Sequence, residues 1–377
     1  MKFNTLASPT FGWLKMNGGE LLDLPAMERL SPAIELPEGV RVEKLNGVGV
    51  REMRTGGGEE FGKALATAKL PVLICTVPAG QRIAERDALR LSFKLPDEGE
   101  EYDPKGRIAL KSAKTNNAPA QAGKFAEVEL NLEAGSSLTA VMDYRSEEDA
   151  KGLAGVQTRI TLGEGAKLTL VQIVRPGSGY TFLNDVGAVC AKDAELRVIH
   201  LVLSGKHVYQ GFSSAMEGDR SQVAVDVGYV GEDHARYDLN YESINTGKKT
   251  GAEIHGKGIL RGHAKKVFRD SIDLRKGCSG SEGNETEDVL LMDETVENRS
   301  LPIILCSEDD VVGNHGATIG RLDEDLLFYM ESRGMQKDDV YEMMAKARID
   351  AIVRKIPDAK TRHDLLELDD EEEREER

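Results

Sequence analysis

The feature that most constrains this chain is a repeat. Between about residues 155 and 275, short runs of alternating apolar and polar residues recur, paired across small polar turns. TRITLGEGAKLTLVQIV, GAVCAKDAELRVIHLVL and LRGHAKKVFRDSIDL are three such units. The turn centres fall near Lys167, Glu195, Gln222, Arg236, Thr250 and Lys265, at intervals of about 28, 27, 14, 14 and 15 residues. A half-unit near 14 and a full unit near 28 suit a chain that coils and rises by one strand spacing per circuit. One coil cannot bury its inward face alone, so coils must stack to close a continuous core. Aromatic content of only 5%, beside 39 glycines, favours tight turns and small inward residues over bulky fillers. The expected architecture is mainly β, with a right-handed parallel β-helix (a solenoid) as its core. An ordinary β-sandwich or jelly roll is the rival.

The flanks differ in texture. Residues 1–70 read as a mixed N-terminal region, with Trp13 pinning the terminus and Glu59–Lys69 forming a short amphipathic helix. The β-helix core is expected over 71–316, and a helical subdomain over 317–358. Its first helix places Leu322, Leu326, Leu327 and Met330 at helical spacing behind Asp323, Glu324 and Asp325, and stops at Gly334. Its second runs from Asp338 to just before Pro357 with a broad apolar face. Together they should make a hairpin capping one end of the stack. Residues 359–377 read as an acidic, disordered tail, in which Glu367–Arg377 holds eight acids and two arginines.

Several functional classes are disfavoured. A net charge of −16 argues against nucleic acid or an anionic membrane as partner. Four widely spaced cysteines, with no C-x-x-C, argue against a zinc site or disulfide framework. Cys306 reads as core and Cys278 as the more exposed thiol. With no apolar signal region in MKFNTLASPTFGWLKMN and no apolar run near ~18 residues, the chain is expected to be soluble and cytoplasmic. GxxxxGK[ST], G-x-S-x-G and H-E-x-x-H are all missing, so no bound nucleotide and no catalysis are expected. Most of the seven histidines read as structural. His315 is the exception: it lies in a Gly-rich turn, Gly313–Gly316, between the apolar run Leu301–Leu305 and the helix start, and a neutral imidazole is a borderline ligand for iron.

That same stretch carries a resemblance. Glu308-Asp309-Asp310-Val311, His315-Gly316-Ala317-Thr318, Gly320, Leu322-Asp323-Glu324, Phe328-Tyr329 and Ser332-Arg333-Gly334 match, in order, the C-terminal signature of the SufB/SufD family of SUF iron–sulfur cluster assembly proteins. The His-Gly form resembles the SufD-type subunit, with Gly313 where the family usually has cysteine, and the Trp13 segment resembles the start of many D-type members. The resemblance implies a scaffold that pairs with a SufB-type subunit, or with itself, through the β-helix edge. It implies a transient iron–sulfur cluster at that interface, with His315 as its metal contact and Glu287 a candidate beside it, standing where B-type members carry a cluster-building cysteine. It also implies that a SufC-type ABC ATPase docks on the C-terminal helices, with Leu326, Phe328, Tyr329, Arg333, Tyr341 and Met344 as contacts. Two other readings compete: a carbohydrate-active β-solenoid lyase or hydrolase, and a purely structural homodimer.

Overall fold

The computed structural model describes residues 1–6, 8, 16–21, 24–46, 52–102, 104 and 122–366; the Trp13 segment and the acidic run 367–377 lie outside them. Within these residues the chain winds into a parallel β-solenoid of about seven turns. Its strands alternate between a ten-stranded and a nine-stranded sheet. Successive coils pair residue for residue: Lys151–Leu162 lies on Gly179–Cys190, and Gln222–Gly231 on Gly251–Leu260. Parallel, in-register pairing of this length replaces the sandwich alternative.

Alternation in sequence becomes inside and outside in space. In Lys265–Leu274 the even residues Phe268, Ile272 and Leu274 enter the core, facing Val223, Val225, Val227 and Tyr229 of the opposite sheet. Inward rings stack coil over coil. Phe93, Tyr144 and Phe182 follow one another with centroids 5.1 and 5.0 Å apart, and Phe212, Tyr241 and Phe268 at 6.2 and 5.4 Å. The few aromatics are thus placed as columns along the axis, where each ring packs on two neighbours.

The corners explain the repeat length. One residue per coil turns with left-handed φ: Gly165 at 65°, Asp193 at 57°, Arg220 at 59°, Lys249 at 54° and Gly280 at 75°. Each such amide donates to the next coil's turn, for example Gly165 N to Lys192 O at 2.9 Å and Lys249 N to Ser279 O at 3.0 Å. The spacing of these positions is the repeat that the sequence displays.

His200 shows how dry the interior is. Its Nδ1 lies 3.1 Å from Gln210 Nε2 and 3.2 Å from the Tyr241 hydroxyl, and burial pushes its imidazole down to about 3 from 6.5. The folded state therefore holds it neutral while the unfolded chain takes up a proton below pH 6.5. Stability is lost as pH falls through that value, by ~2 kcal/mol at pH 5 relative to pH 7 from this group alone. Urea unfolding of the wild type and of His200→Gln at both pH values should show a pH-dependent difference of that size. Equal slopes would refute the assignment.

Both outer faces are covered by the chain's own ends. On the ten-stranded sheet, Gly56 N donates to Val186 O (3.1 Å), Gly57 N to Asp185 Oδ1 (2.6 Å), and Arg54 grips Glu242 through two bonds of 2.5 and 2.9 Å. Such close approach requires glycine: a Cβ on Gly56 would lie 1.9 Å from Phe212 N, and one on Gly211 2.3 Å from Gly57 N. Helix α1 (Glu59–Ala68), as expected from the sequence, buries Phe61 and Leu65 against Phe3, Phe125 and Leu183.

The C-terminal helices, α2 (Glu324–Ser332) and α3 (Lys337–Val353), do not cap the stack as expected. They lie along the flank of the nine-stranded sheet, where Val340, Ile349 and Ile352 pack on Ile199, Leu201, Ile259 and Leu290. The outward residues of those strands are aliphatic, so the largest apolar burial available to α3 is sideways, at about 1.5–3 kcal/mol per aliphatic side chain. Residues 359–366, expected to begin the disordered tail, are helical and bury Leu365. The last coil runs to Gly320, past the expected boundary at 316. Among the described residues no helix is long and apolar enough to cross a membrane.

The two ends of the solenoid differ. At the N-terminal end antiparallel strands close the sheets, Arg41–Asn46 on Pro71–Val77 and Ala33–Glu35 on Leu89–Lys94. At the other end the last strands, Glu297–Cys306 and Val311–Gly320, each pair on one side only.

Candidate functional site: the open terminal coil

His315 lies in the middle of the strand Val311–Gly320, and the Gly-rich segment around it is strand where the sequence suggested a turn. Glycine there lets the strand run flat over the coil beneath rather than reversing it. In-register pairing sets the direction of its side chain. His315 pairs with Glu285, a fully buried residue of the strand below, and so shares its inward face. Gly313, two residues earlier, confirms that parity, since a Cβ there would meet Ile304 at 3.0 Å across the lumen. His315 nevertheless remains exposed, because no further coil lies over it. One imidazole therefore stands in the mouth of the solenoid, at its unpaired edge.

Glu287 is not at that edge. It pairs upward with Ala317, is 4% exposed, and accepts a 2.7 Å hydrogen bond from the Tyr229 hydroxyl. Across the lumen the Lys266 ammonium binds the same carboxylate oxygen and lies 5.3 Å from the Tyr229 and Phe268 ring centroids. The structure separates the two residues that the sequence put forward together: His315 is open and Glu287 is held within the fold. Burial drives Lys266 downward, with the Glu287 charge opposing it, and drives Tyr229 well up. Beside them, burial first and then the Glu287 charge raise Asp270, while burial and then Asp270 raise Glu285. Sequence reasoning missed Lys266 and Asp270. Their signal was an ionisable residue at inward positions of an alternating strand.

The cysteines reverse their expected places. Cys278 is buried in the turn below the last coil, whereas Cys306 is exposed at the end of Glu297–Cys306 and its thiol donates to the Glu308 carbonyl at 3.1 Å. Cys306 registers with core residue Leu274, so it faces inward, but no coil follows to cover it. Among the described residues no three His, Cys, Asp or Glu side chains converge to hold a metal ion. The open coil presents one imidazole on the strand Val311–Gly320 and one exposed thiol at the end of Glu297–Cys306.

A second surface lies on α2. Phe328 is 73% exposed, Tyr329 51% and Leu326 38%, and Arg333 stacks on the Tyr329 ring at 5.1 Å. Leu327 and Met330, on the other face, pack toward the flank. Tyr341 and Met344 are not part of this surface. Tyr341 is 6% exposed and both pack into the α3–sheet core.

Comparison with known proteins fits this architecture. Residues 114–348 match the family described as "SUF system FeS cluster assembly, SufBD core domain". The chain is 25% identical over 236 residues to the iron–sulfur cluster assembly protein SufD of Bacillus subtilis, covering 62% of this chain and 54% of that protein. It is 26% identical over 221 residues to SufD of Escherichia coli, covering 58% and 52%. Similarity to B. subtilis SufB is lower, 21% over 170 residues, covering 45% and 36%. The matches thus span about half the length of each SufD relative.

Proposed function

The chain belongs to the SufB/SufD family of the SUF iron–sulfur cluster assembly system, on its SufD side, and from that membership we propose that it is a non-catalytic scaffold subunit. In this reading it pairs edge to edge with a SufB-type subunit, and the nascent cluster, as cargo, is built between them. The observation that carries the reading is His315: a lone imidazole on the inward face of an unpaired terminal strand. Neutral imidazole binds iron, and a strand with free amides and carbonyls is a ready template for a second chain. Glu287 has no part in it, being held by Lys266 and Tyr229. The outer faces of both sheets are taken up by the N-terminal segment and α3, which weighs against a sugar-binding groove along the solenoid. The compartment we expect is the cytosol.

ATP hydrolysis is assigned to a SufC-type partner docking on α2 through Leu326, Phe328, Tyr329 and Arg333. An exposed Phe–Tyr pair beside an arginine has the composition of an interface anchor. Phe328→Asp should weaken binding of the ABC-type ATPase at least tenfold (~1.4 kcal/mol) and leave thermal unfolding of the isolated chain unchanged. Calorimetric titration of the purified ATPase into each form checks this. Unaltered affinity would exclude α2 as the docking site.

A further inference from the structure

One inner corner of the solenoid is sealed at every level but the last. Cys190, Met216, Asn245 and Leu274 stand in register one above another, and each is fully buried. Cys306 tops this column, directly over Leu274, and is its first exposed member. The turn that leaves Leu274 carries a second thiol. Cys278 closes the first bend of that turn, donating its amide to Arg275 O at 3.1 Å, and its side chain joins the same core cluster as Leu274. The other two cysteines, Cys75 and Cys190, lie so deep that burial pushes their thiols up to about 12.

Both thiols are held near one residue, Glu308. Its carbonyl accepts from Cys306 Sγ at 3.1 Å, and its carboxylate accepts at 2.7 Å from the amide of Gly277, the neighbour of Cys278. The Ser279 hydroxyl and the Gly280 amide each donate to Asp310 at 2.6 Å, lacing the lower turn to the upper one. No coil lies above that upper turn, so the cover over Cys278 is one turn thick. Burial raises the Cys278 thiol, a Ser281 hydrogen bond opposes it, and the charges of Glu308 and Cys306 push it further up. The corner also has slack. Between the same register positions the coil below uses Thr246–Thr250 and this one Arg275–Ser281, two residues more, with Gly277 and Gly280 at φ 107° and 75°.

We propose that Cys278 and Cys306 are a redox-active pair that a peroxide closes into a disulfide, stapling the terminal coil to the turn beneath it. The exposed thiol reacts first. Cys306 sulfur attacks the peroxide, the O–O bond breaks, and a sulfenic acid forms as one water leaves. Cys278 sulfur then attacks Cys306 sulfur; the S–S bond forms, the S–O bond breaks, and a second water departs. Two thiols thus give two electrons and two protons to one peroxide. A disulfide needs Cα atoms within about 7 Å. Cys306 lies one strand spacing, about 4.8 Å, above Leu274, and Cys278 is one turn removed from that residue. Any remaining adjustment falls on a corner with two glycines and no coil stacked above it. The bridge closes a loop that contains the strands Ser281–Leu291 and Glu297–Cys306, which restricts the opened chain and so favours the wound coil. It needs no second chain, so it stands apart from the edge-pairing reading.

The test adds hydrogen peroxide to the reduced full chain. Free thiols, counted in denaturant, should fall from four to two, with no covalent dimer on a non-reducing gel. Trypsin should release Gly277–Arg299 linked to Ser300–Arg321, two hydrogens lighter than the separate peptides, and dithiothreitol should part them. Amides of Val311–Gly320 should exchange at least tenfold more slowly in the oxidised chain. Cys306→Ser, an exposed change that leaves the core untouched, should abolish both the link and the slowing. In Cys278→Ser the Cys306 sulfur, with no thiol to resolve it, should pass on to sulfinic and sulfonic acids. Four surviving thiols, a link between two chains, or a wild-type Cys306 that goes to sulfinic acid without the link would overturn the pair. A link that forms but leaves the exchange of Val311–Gly320 unchanged would overturn the staple.

Discussion

Lys266→Met is expected to lower the unfolding free energy by about 3–5 kcal/mol, although no surface contact is touched. Lys266 and Glu287 face each other across the lumen with side chains 0% and 3% exposed, and the lysine ammonium is the carboxylate's counter-charge. Removing it leaves Glu287 with only the Tyr229 hydroxyl, beside the buried carboxyl of Asp270. Either the charge stays buried unpaired or the carboxyl takes a proton, and both routes draw on folding energy. Methionine keeps the length of the stem, so little of the loss is cavity. Lys266→Met/Glu287→Leu should recover most of it, to within ~1–2 kcal/mol of wild type, since a well-packed apolar pair often replaces a buried ion pair without loss. Guanidinium unfolding of the three proteins reads this directly. A single variant no weaker than the double would show that the pair carries no mutual stabilisation.

His315→Ala should do the opposite, leaving the fold intact and stopping the cluster assembly proposed above. The ring is exposed on the terminal strand, so the change in stability should stay within ~0.5 kcal/mol. Cluster formation with the SufB-type subunit should fall at least tenfold, followed as visible absorbance during anaerobic reconstitution with ferrous iron and a sulfide source. His315→Cys should retain a substantial fraction, because a thiolate also binds iron, whereas His315→Phe, which keeps a ring but no donor, should behave like alanine. Phenylalanine matching wild type would reduce His315 to an interface filler.

What could be read from the sequence divides along physical lines. Coil length was legible because every circuit needs one residue at left-handed φ, and Gly165, Asp193 and Gly280 announce it locally. α2 was legible from its acidic start and its stop at Gly334, and the Asp323 cap lies where those residues require. Glu287 was misplaced because its partners are 58 and 21 residues away: Tyr229 lies two coils off in the same sheet, and Lys266 reaches it from the opposite sheet. The exposure of Cys306 and the burial of Cys278 depend on where coiling stops, which no local pattern encodes. The flank position of α3 was equally hidden. Its apolar face is plain in the sequence, but nothing there says whether that face meets the end of a stack or its side.

The straps across the two sheets bear on how the molecule is made. Arg269 reaches back 253 residues to donate to Met16 O at 2.6 Å, and Arg90 reaches forward 268 residues to Asp358 at the same distance. Coils can accrete one by one as the chain leaves the ribosome, each templated by its predecessor. The latch between residues 90 and 358 cannot close until residue 358 has left the ribosome. During that interval α3's binding face on the nine-stranded sheet is bare, with Ile199, Leu201 and Ile259 open to solvent. A nascent chain of this kind is born with its most adhesive surface uncovered, and translation speed between the coils and α3 sets how long that hazard lasts.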